Sequence, residues 1–202
     1  MFVTAHSPRL KLATALVYLG GGVASSYASS LLGIGRSTVI KHVVDTCAAI
    51  VHVWQRKIQL PVGDELAELF RMAEAHVPPF PGAALFMDGT YEPWRAPRAN
   101  ELEYTCHYGY TSVQVQLVVD RTRRIRDVYS GWPGSTHDAR VWRNSPLFEA
   151  VSSGKWPPKD ERFRTEVEGF RIFPSIVADA AYPASPIVRV PFKGAKSDSS
   201  SF

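Results

Sequence analysis

Cysteine is scarce in this chain: Cys47 and Cys106 are the only two among 202 residues. Two thiols cannot build a disulfide framework or a cysteine-rich zinc site, so the composition suits a reducing intracellular compartment. No apolar run approaches the roughly 18 residues needed to cross a bilayer. The 14 glycines and 15 prolines are scattered, which excludes collagen and a low-complexity linker. With 45% hydrophobic and 21% charged residues the chain is globular rather than disordered. A small domain and a medium one fit this length, whereas a helical module plus a full α/β domain would fit tightly.

Acidic side chains are nearly missing from the first sixty residues. Asp45 stands alone there against Arg9, Lys11, Arg36, Lys41, Arg56 and Lys57. Residues 61–100 reverse the balance, with six acids to three bases, and the whole chain carries a net charge of +4. The pI of about 9.1 alone is a weak sign of a polyanionic partner. Its distribution predicts a basic module (1–60), an acidic connector (61–79) and a second unit (80–202). Ordinary surface variation is the alternative. Arg9 and Lys11 ahead of Leu12–Leu19, with small residues to Ala28, imitate a secretory leader. Thr14 and Gly20-Gly-Gly22 interrupt that pattern, and the expectation is a protein that is not secreted.

Within the basic module, Leu10, Leu12, Ala13, Leu16, Val17 and Leu19 suit one buried helix that the triple glycine stops. A short helix capped by Ser25 or Ser26 follows and ends at Gly33. Gly35-Arg-Ser-Thr38 opens a third, with Ile40, Val43, Val44, Cys47, Ile50, Val51 and Trp54 at helical spacing. This order predicts a helix-turn-helix, whose last helix enters the major groove by its start. Arg36, Ser37, Thr38 and Lys41, with His42 beside them, would then face DNA. A plain three-helix bundle explains the same pattern. Residues 63–77 predict a connecting helix, acidic in its first turns and ended by Pro78-Pro79, with His76 at its surface end.

The second unit repeats one theme. Ala83-Ala-Leu-Phe-Met predicts a buried strand that runs into Asp88, and Ser175-Ile-Val-Ala predicts another that runs into Asp179. A carboxylate at such a place is costly unless it binds a cation or caps a turn. Between them, residues 112–130 predict a hairpin through the basic turn Arg121-Thr-Arg-Arg124. Ser135–Arg143 predicts a helix, and Ile187–Val190 a final short strand. Three strands, a helix and a fourth strand is the order of an RNase H-like α/β fold. In it the first and fourth strands lie parallel and adjacent, so Asp88 and Asp179 would face each other. Two such carboxylates repel unless a hard cation, Mg²⁺ or Mn²⁺, bridges them. Each acid taken singly reads more readily as a turn or cap residue.

Met87-Asp-Gly-Thr90, Tyr104 with Gly109-Tyr110, Val128–Val141, Asn144-Ser-Pro-Leu147 and Ala178-Asp-Ala-Ala-Tyr-Pro183 together carry a resemblance. Over residues 80–194 the chain resembles the Harbinger (PIF-type) transposases and the transposase-derived nucleases related to them. Gly131-Trp-Pro-Gly-Ser-Thr-His-Asp-Ala-Arg140 is its most specific run. The resemblance implies a metal-dependent DDE nuclease acting on DNA, with Asp88 and Asp179 as catalytic and metal-binding acids. It also implies a partner protein that binds DNA separately, and a location in the nucleus or in cytoplasm and nucleus. The third acid would be a glutamate on a helix beyond the last strand. The sequence reaches Phe202 without one, and Asp198 has no helix to hold it. The expectation is therefore an incomplete, C-terminally truncated RNase H-like domain with weak or absent cleavage. Its uncovered apolar sheet face would invite self-association.

His137 and Asp138 are candidate accessory residues of the metal site. Ser135-x-x-Asp138 also fits a capping box, which is the preferred reading. His107 follows Cys106, but no second ligand pair is spaced for zinc. Arg121, Arg123, Arg124 and Arg126 suit either a DNA backbone or a solvated hairpin turn. A non-catalytic DNA-binding protein using residues 1–60, or a gene fragment without selected function, are the alternatives to a nuclease.

Overall fold

The computed structural model describes residues 6–75 and 80–191. The chain divides into two compact units, residues 1–57 and 58–202.

The first unit is helical. Helix α1 (Pro8–Ala15) starts with Pro8, whose missing N–H suits a first turn, and Ser7 Oγ accepts from the Leu10 amide at 3.3 Å. A π-helical turn, Leu16–Gly20, continues it. Helix α2 (Ser25–Leu32) closes on Gly33 in the left-handed conformation (φ 64°), and Gly35 leads into α3 (Arg36–Trp54). Ala24 rather than a serine stands at the N-cap of α2.

The buried faces are rotated from the predicted ones. Ala15, Ala28, Val39 and Val43 form the centre, with Val17, Tyr18, Val23, Ile34 and Cys47 packed against them. Leu12, Leu16, Leu19, Ile40, Val44, Ile50, Val51 and Trp54 are exposed. Small residues allow close helix contact, so they, and not the largest apolar side chains, occupy the seam. Thr14, His42 and Thr46 share that interior. The Thr14 hydroxyl donates to the Leu10 carbonyl at 2.7 Å and lies 3.1 Å from His42 Nδ1, which makes that nitrogen the donor. His42 Nε2 then accepts from His6 Nδ1 at 2.9 Å.

The second unit opens with α4 (Gly63–Glu74). Asp64 and Glu65 sit in its first turn, where the helix dipole favours them, and Leu66, Leu69, Phe70 and Ala73 form one buried face. The connector predicted from charge is thus built into a core, and its expected end at Pro78-Pro79, with His76, lies outside the described residues. Strands β1 (Ala83–Pro93), β2 (Ser112–Asp120) and β3 (Ile125–Pro133) form an antiparallel meander, with the short helix α5 (Glu101–Tyr104) between β1 and β2. Helices α6 (Asp138–Arg143) and α7 (Pro146–Ser152) follow. A small hairpin of β4 (Thr165–Val167) and β5 (Phe170–Ile172) precedes β6 (Ser175–Ala178) and β7 (Val188–Arg189).

The five-stranded sheet has the order β3-β2-β1-β6-β7, with β6 parallel to β1 and β7 parallel to β6. This mixed sheet after N-terminal helices has the strand order expected of an RNase H-like domain. Its core joins Leu85, Met87, Val118, Ile176 and Ala178 to Leu66, Trp142, Leu147, Trp156 and Phe163. Helices α4, α6 and α7 therefore cover one face. The side chains between those positions, Phe86, Leu117, Val119 and Val177, are only half-buried on the other face. Ser112, Gln114, Gln116 and Asp120 lie on the covered face with Val118, whereas Val113, Val115 and Val119 face outward.

The basic hairpin turn is held by the protein itself. Arg126 is buried and donates to Asp120 at 2.6 Å and to Glu65 of α4 at 2.7 Å, while Arg124 reaches Glu65 at 2.9 Å. Burial alone would raise the Asp120 carboxyl, but hydrogen bonds from Thr122, Arg124 and Arg126 hold it below the usual range. Arg121 donates to the Ala83 carbonyl and lies over the Phe86 ring. Arg121, Arg124 and Arg126 thus anchor the hairpin to its surroundings. Among the described residues no helix is long and apolar enough to cross a membrane.

Candidate active site

Asp88 interrupts the buried run of β1: Leu85 and Met87 are buried, and Asp88 is exposed. The parallel register pairs Met87 with Ala178, so the next residues, Asp88 and Asp179, come level on adjoining strands. Alternation places Asp88 on the open face, away from Met87, while Asp179 follows directly on the last residue of β6 and is exposed. Each carboxylate accepts one local amide through Oδ1, from Gly89 at 2.8 Å for Asp88 and from Ala181 at 3.0 Å for Asp179. Asp179 therefore does make the turn bond that was the alternative to a functional role. Both acids nevertheless remain exposed at the same level of the sheet.

Asp138 approaches from the covered side. The capping box expected with Ser135 does not form: Ser135 donates its hydroxyl to the Glu103 carbonyl, and α6 begins at Asp138 with His137 as its N-cap. A side chain on Gly89 would collide with the Asp138 carboxylate, so glycine there leaves the space that Asp138 fills. Asp138 accepts from the Gln114 amide Nε2. Its acidity is weakened, first by burial and then by the negative charges of Asp179 and Asp88. Asp88 and Asp179 thus both lie within electrostatic reach of Asp138. His137 is exposed beside them, and its ring makes no capping bond to α6.

Tyr182 completes the corner. It is buried, its hydroxyl has no hydrogen-bond partner within the described protein, and its ionisation is strongly suppressed. Burial is the main cause, followed by the charges of Asp138, Asp88 and Asp179. Gln114 Oε1 and both amide atoms of Gln116 are likewise buried without a partner. Buried polar groups are normally paired, so this corner carries more polarity than packing requires. Tyr182 stood in a motif of the sequence and drew no role there. The glutamines of β2 signalled polarity, but alternation does not say which face is covered.

Two exposed carboxylates on neighbouring strands supply the hard oxygen donors that Mg²⁺ or Mn²⁺ takes. Among the described residues no group of three or more His, Cys, Asp or Glu side chains gathers closely enough to hold a metal. That arrangement still suits Mg²⁺, which is commonly held by one or two carboxylates together with substrate phosphates and water.

Residues 87–201 match the family described as DDE superfamily endonuclease, a span that begins one residue before Asp88 and includes Asp138 and Asp179. The chain belongs to this family. It is 25% identical over 156 residues to a mouse protein named "Putative nuclease HARBI1", covering 77% of this chain and 44% of that protein. Its human counterpart of the same name is 23% identical over 150 residues, or 74% of this chain and 43% of the relative. "Protein ALP1-like" of Arabidopsis thaliana is 28% identical over 192 residues, or 91% of this chain and 45% of the relative. The chain thus spans less than half the length of these relatives. No solved structure matches it. The matches support the expected kinship with nucleases derived from Harbinger transposases.

The predicted DNA-facing residues sit in the first turns of α3. Arg36, Ser37 and Lys41 are exposed and Thr38 is half-buried. His42 is 2% exposed and faces the helical core, so it cannot read DNA from there. Asp198 lies outside the described residues.

Proposed function

We propose that this chain carries part of a divalent-metal-dependent nuclease centre of the DDE superfamily acting on DNA phosphodiester bonds. Asp88 and Asp179 are the catalytic and metal-holding pair. Asp138 is an accessory acid seated behind Gly89, and His137 an accessory group at the rim. The observation that carries this reading is the parallel register that brings the exposed Asp88 and Asp179 level at adjoining strands, inside the family match. A bound Mg²⁺ or Mn²⁺ would neutralise phosphate charge there and polarise the phosphorus centre. Asp88 and Asp179 would hold that cation, while Asp138, held by Gln114, adds a further carboxyl group behind them. Cleavage by this chain alone is weak, because the described residues bring no third acid into a metal-holding group.

Plasmid nicking with Mg²⁺ or Mn²⁺, run beside calorimetric Mn²⁺ titration, tests this. Mn²⁺ binding should be lost in Asp88→Ala and in Asp179→Ala, with little nicking by any form. Robust nicking abolished by Asp88→Ala would overturn the weak activity, and no Mn²⁺ binding by the wild-type chain would overturn the site. DNA as substrate suits a nuclear location and a separate DNA-binding partner protein.

The exposed Arg36, Ser37 and Lys41 favour a second reading, a helix-turn-helix-like module that binds DNA without catalysis. Salt-dependent DNA binding lost in Arg36→Ala/Lys41→Ala and untouched by Asp88→Ala would support it. The half-buried valines of the open sheet face suit self-association with a second copy. Sedimentation that stays monomeric across concentrations would count against that.

A further inference from the structure

Beyond the carboxylates, the far end of β1 runs into a cluster of aromatic rings. Tyr91 lies three residues past Asp88, a distance of about 10 Å along a strand. Alternation turns Tyr91 to the same face as Gly89, the side on which Asp138 sits, and burial followed by the Asp138 charge makes its phenol less acidic. Facing it is a tight turn closed by bonds from the Cys106 amide to the Tyr110 carbonyl and from the Gly109 amide to the Cys106 carbonyl, both 2.9 Å. Gly109 supplies the left-handed φ of 83° that the turn requires.

This turn presents His107, Tyr108 and Tyr110 outward. His107 Nδ1 lies 3.2 Å from the Tyr91 hydroxyl, and the Tyr91 ring meets His107 and Tyr108 edge-on at 5.2 and 6.0 Å. Tyr108 and Tyr110 lie nearly parallel, 8° apart with centroids 6.2 Å apart. The Trp94 amide donates to the Thr111 carbonyl at 3.0 Å, and the Thr111 hydroxyl donates to the Trp94 carbonyl at 2.6 Å. A shallow groove lined by Trp94, Arg95 and Tyr110 results. Tyr108 is 69% exposed and Trp94 54% exposed, although burial would favour both.

We propose that Tyr108, Tyr110 and Trp94 form a stacking platform for unpaired bases of the DNA whose phosphodiester enters the Asp88–Asp179 site, with Arg95 meeting its backbone. The proposal rests on the nuclease reading for its choice of polymer. Its chemistry comes from the rings. Every base has a π face that an exposed aromatic can hold without reading sequence, and a paired base inside a duplex hides that face. The backbone bonds already order the turn that carries the rings, so little backbone freedom is lost on binding, and the cation in the groove matches the phosphate charge. The platform therefore selects overhangs, frayed ends or extrahelical bases over blunt duplex.

Fluorescence titration of the full chain with DNA carrying 2-aminopurine in a single-stranded overhang, against a blunt duplex of the same sequence, tests this. Binding should quench the overhang probe. Tyr108→Ala/Tyr110→Ala should abolish the quenching and weaken overhang binding by about tenfold or more, leaving blunt-duplex binding unchanged. Tyr108→Phe should retain the quenching, because it keeps the ring. Equal binding of overhang and blunt DNA without quenching overturns the platform, as does quenching that survives the double substitution. Failure to bind overhang DNA even at low salt overturns it too. Mn²⁺ titration of Asp88→Ala decides the nuclease reading separately, since it requires no DNA.

Discussion

In the unit formed by residues 1–57 the fully buried apolar side chains are small, whereas the unit formed by residues 58–202 is built around Trp142, Leu147, Trp156 and Phe163. The helical unit also buries Thr14, His42 and Thr46 and leaves Leu16, Val51 and Trp54 exposed. The sheet unit carries its buried polarity differently, in the Asp120–Arg126 pair and in the glutamines beside the acidic corner. Small side chains let helices approach closely but remove less apolar surface from water. The sheet unit should therefore hold most of the stability and provide the rigid frame for Asp88 and Asp179. Local differences of this kind are read by amide exchange, which reports each unit separately.

The sharpest challenge to that contrast is Trp142→Ala. It should cost the sheet unit about 3–5 kcal/mol in urea unfolding and collapse amide protection in β1 and β2. Little change would mean that the aromatic core is not what holds the sheet. Arg126→Ala comes next, at about 3 kcal/mol, because it strands the buried Asp120 carboxylate without its cation; an unchanged urea midpoint would refute this. In the helical unit Val39→Ala should cost only about 1–2 kcal/mol, with exchange accelerated in α2 and α3 and unchanged in the sheet. A loss as large as that of Trp142→Ala would erase the distinction.

The smallest effect concerns pH. Burial, helped by the nearby charges of His6 and Lys11, lowers the His42 pKa below its ordinary 6.5. The unfolded chain then binds the proton more readily than the folded one, so the helical unit loses stability as pH falls below about 6.5. Exchange in α3 should speed up between pH 7 and 5, after correction for intrinsic rates, and His42→Gln should flatten that change. A pH-independent α3 in the wild-type chain would remove His42 from the account.

Much of the site was legible as a pattern: two apolar strands ending at Asp88 and Asp179, a basic hairpin between them, and the His137-Asp138 run. Three features were not. The face of β2 that is covered follows from where α4, α6 and α7 pack, because alternation defines two faces without ranking them. The buried faces of α1 and α3 follow from close packing around Ala15, Ala28, Val39 and Val43, which a search for the largest apolar residues misses. The position of Asp138 depends on the missing side chain of Gly89, on the opposite side of the sheet from Asp88.

By itself the sequence determined which residues could be acids at strand ends, where the turns fall and which family the chain resembles, because these depend on local residue type and order. Only the tertiary structure decided that Asp88 and Asp179 stand level, that Asp138 closes on them from behind, and that the rings of Tyr91, Tyr108 and Tyr110 gather beyond them. Those relations are set by the register between β1 and β6 and by the packing of α6 on β2, which join segments far apart in the chain.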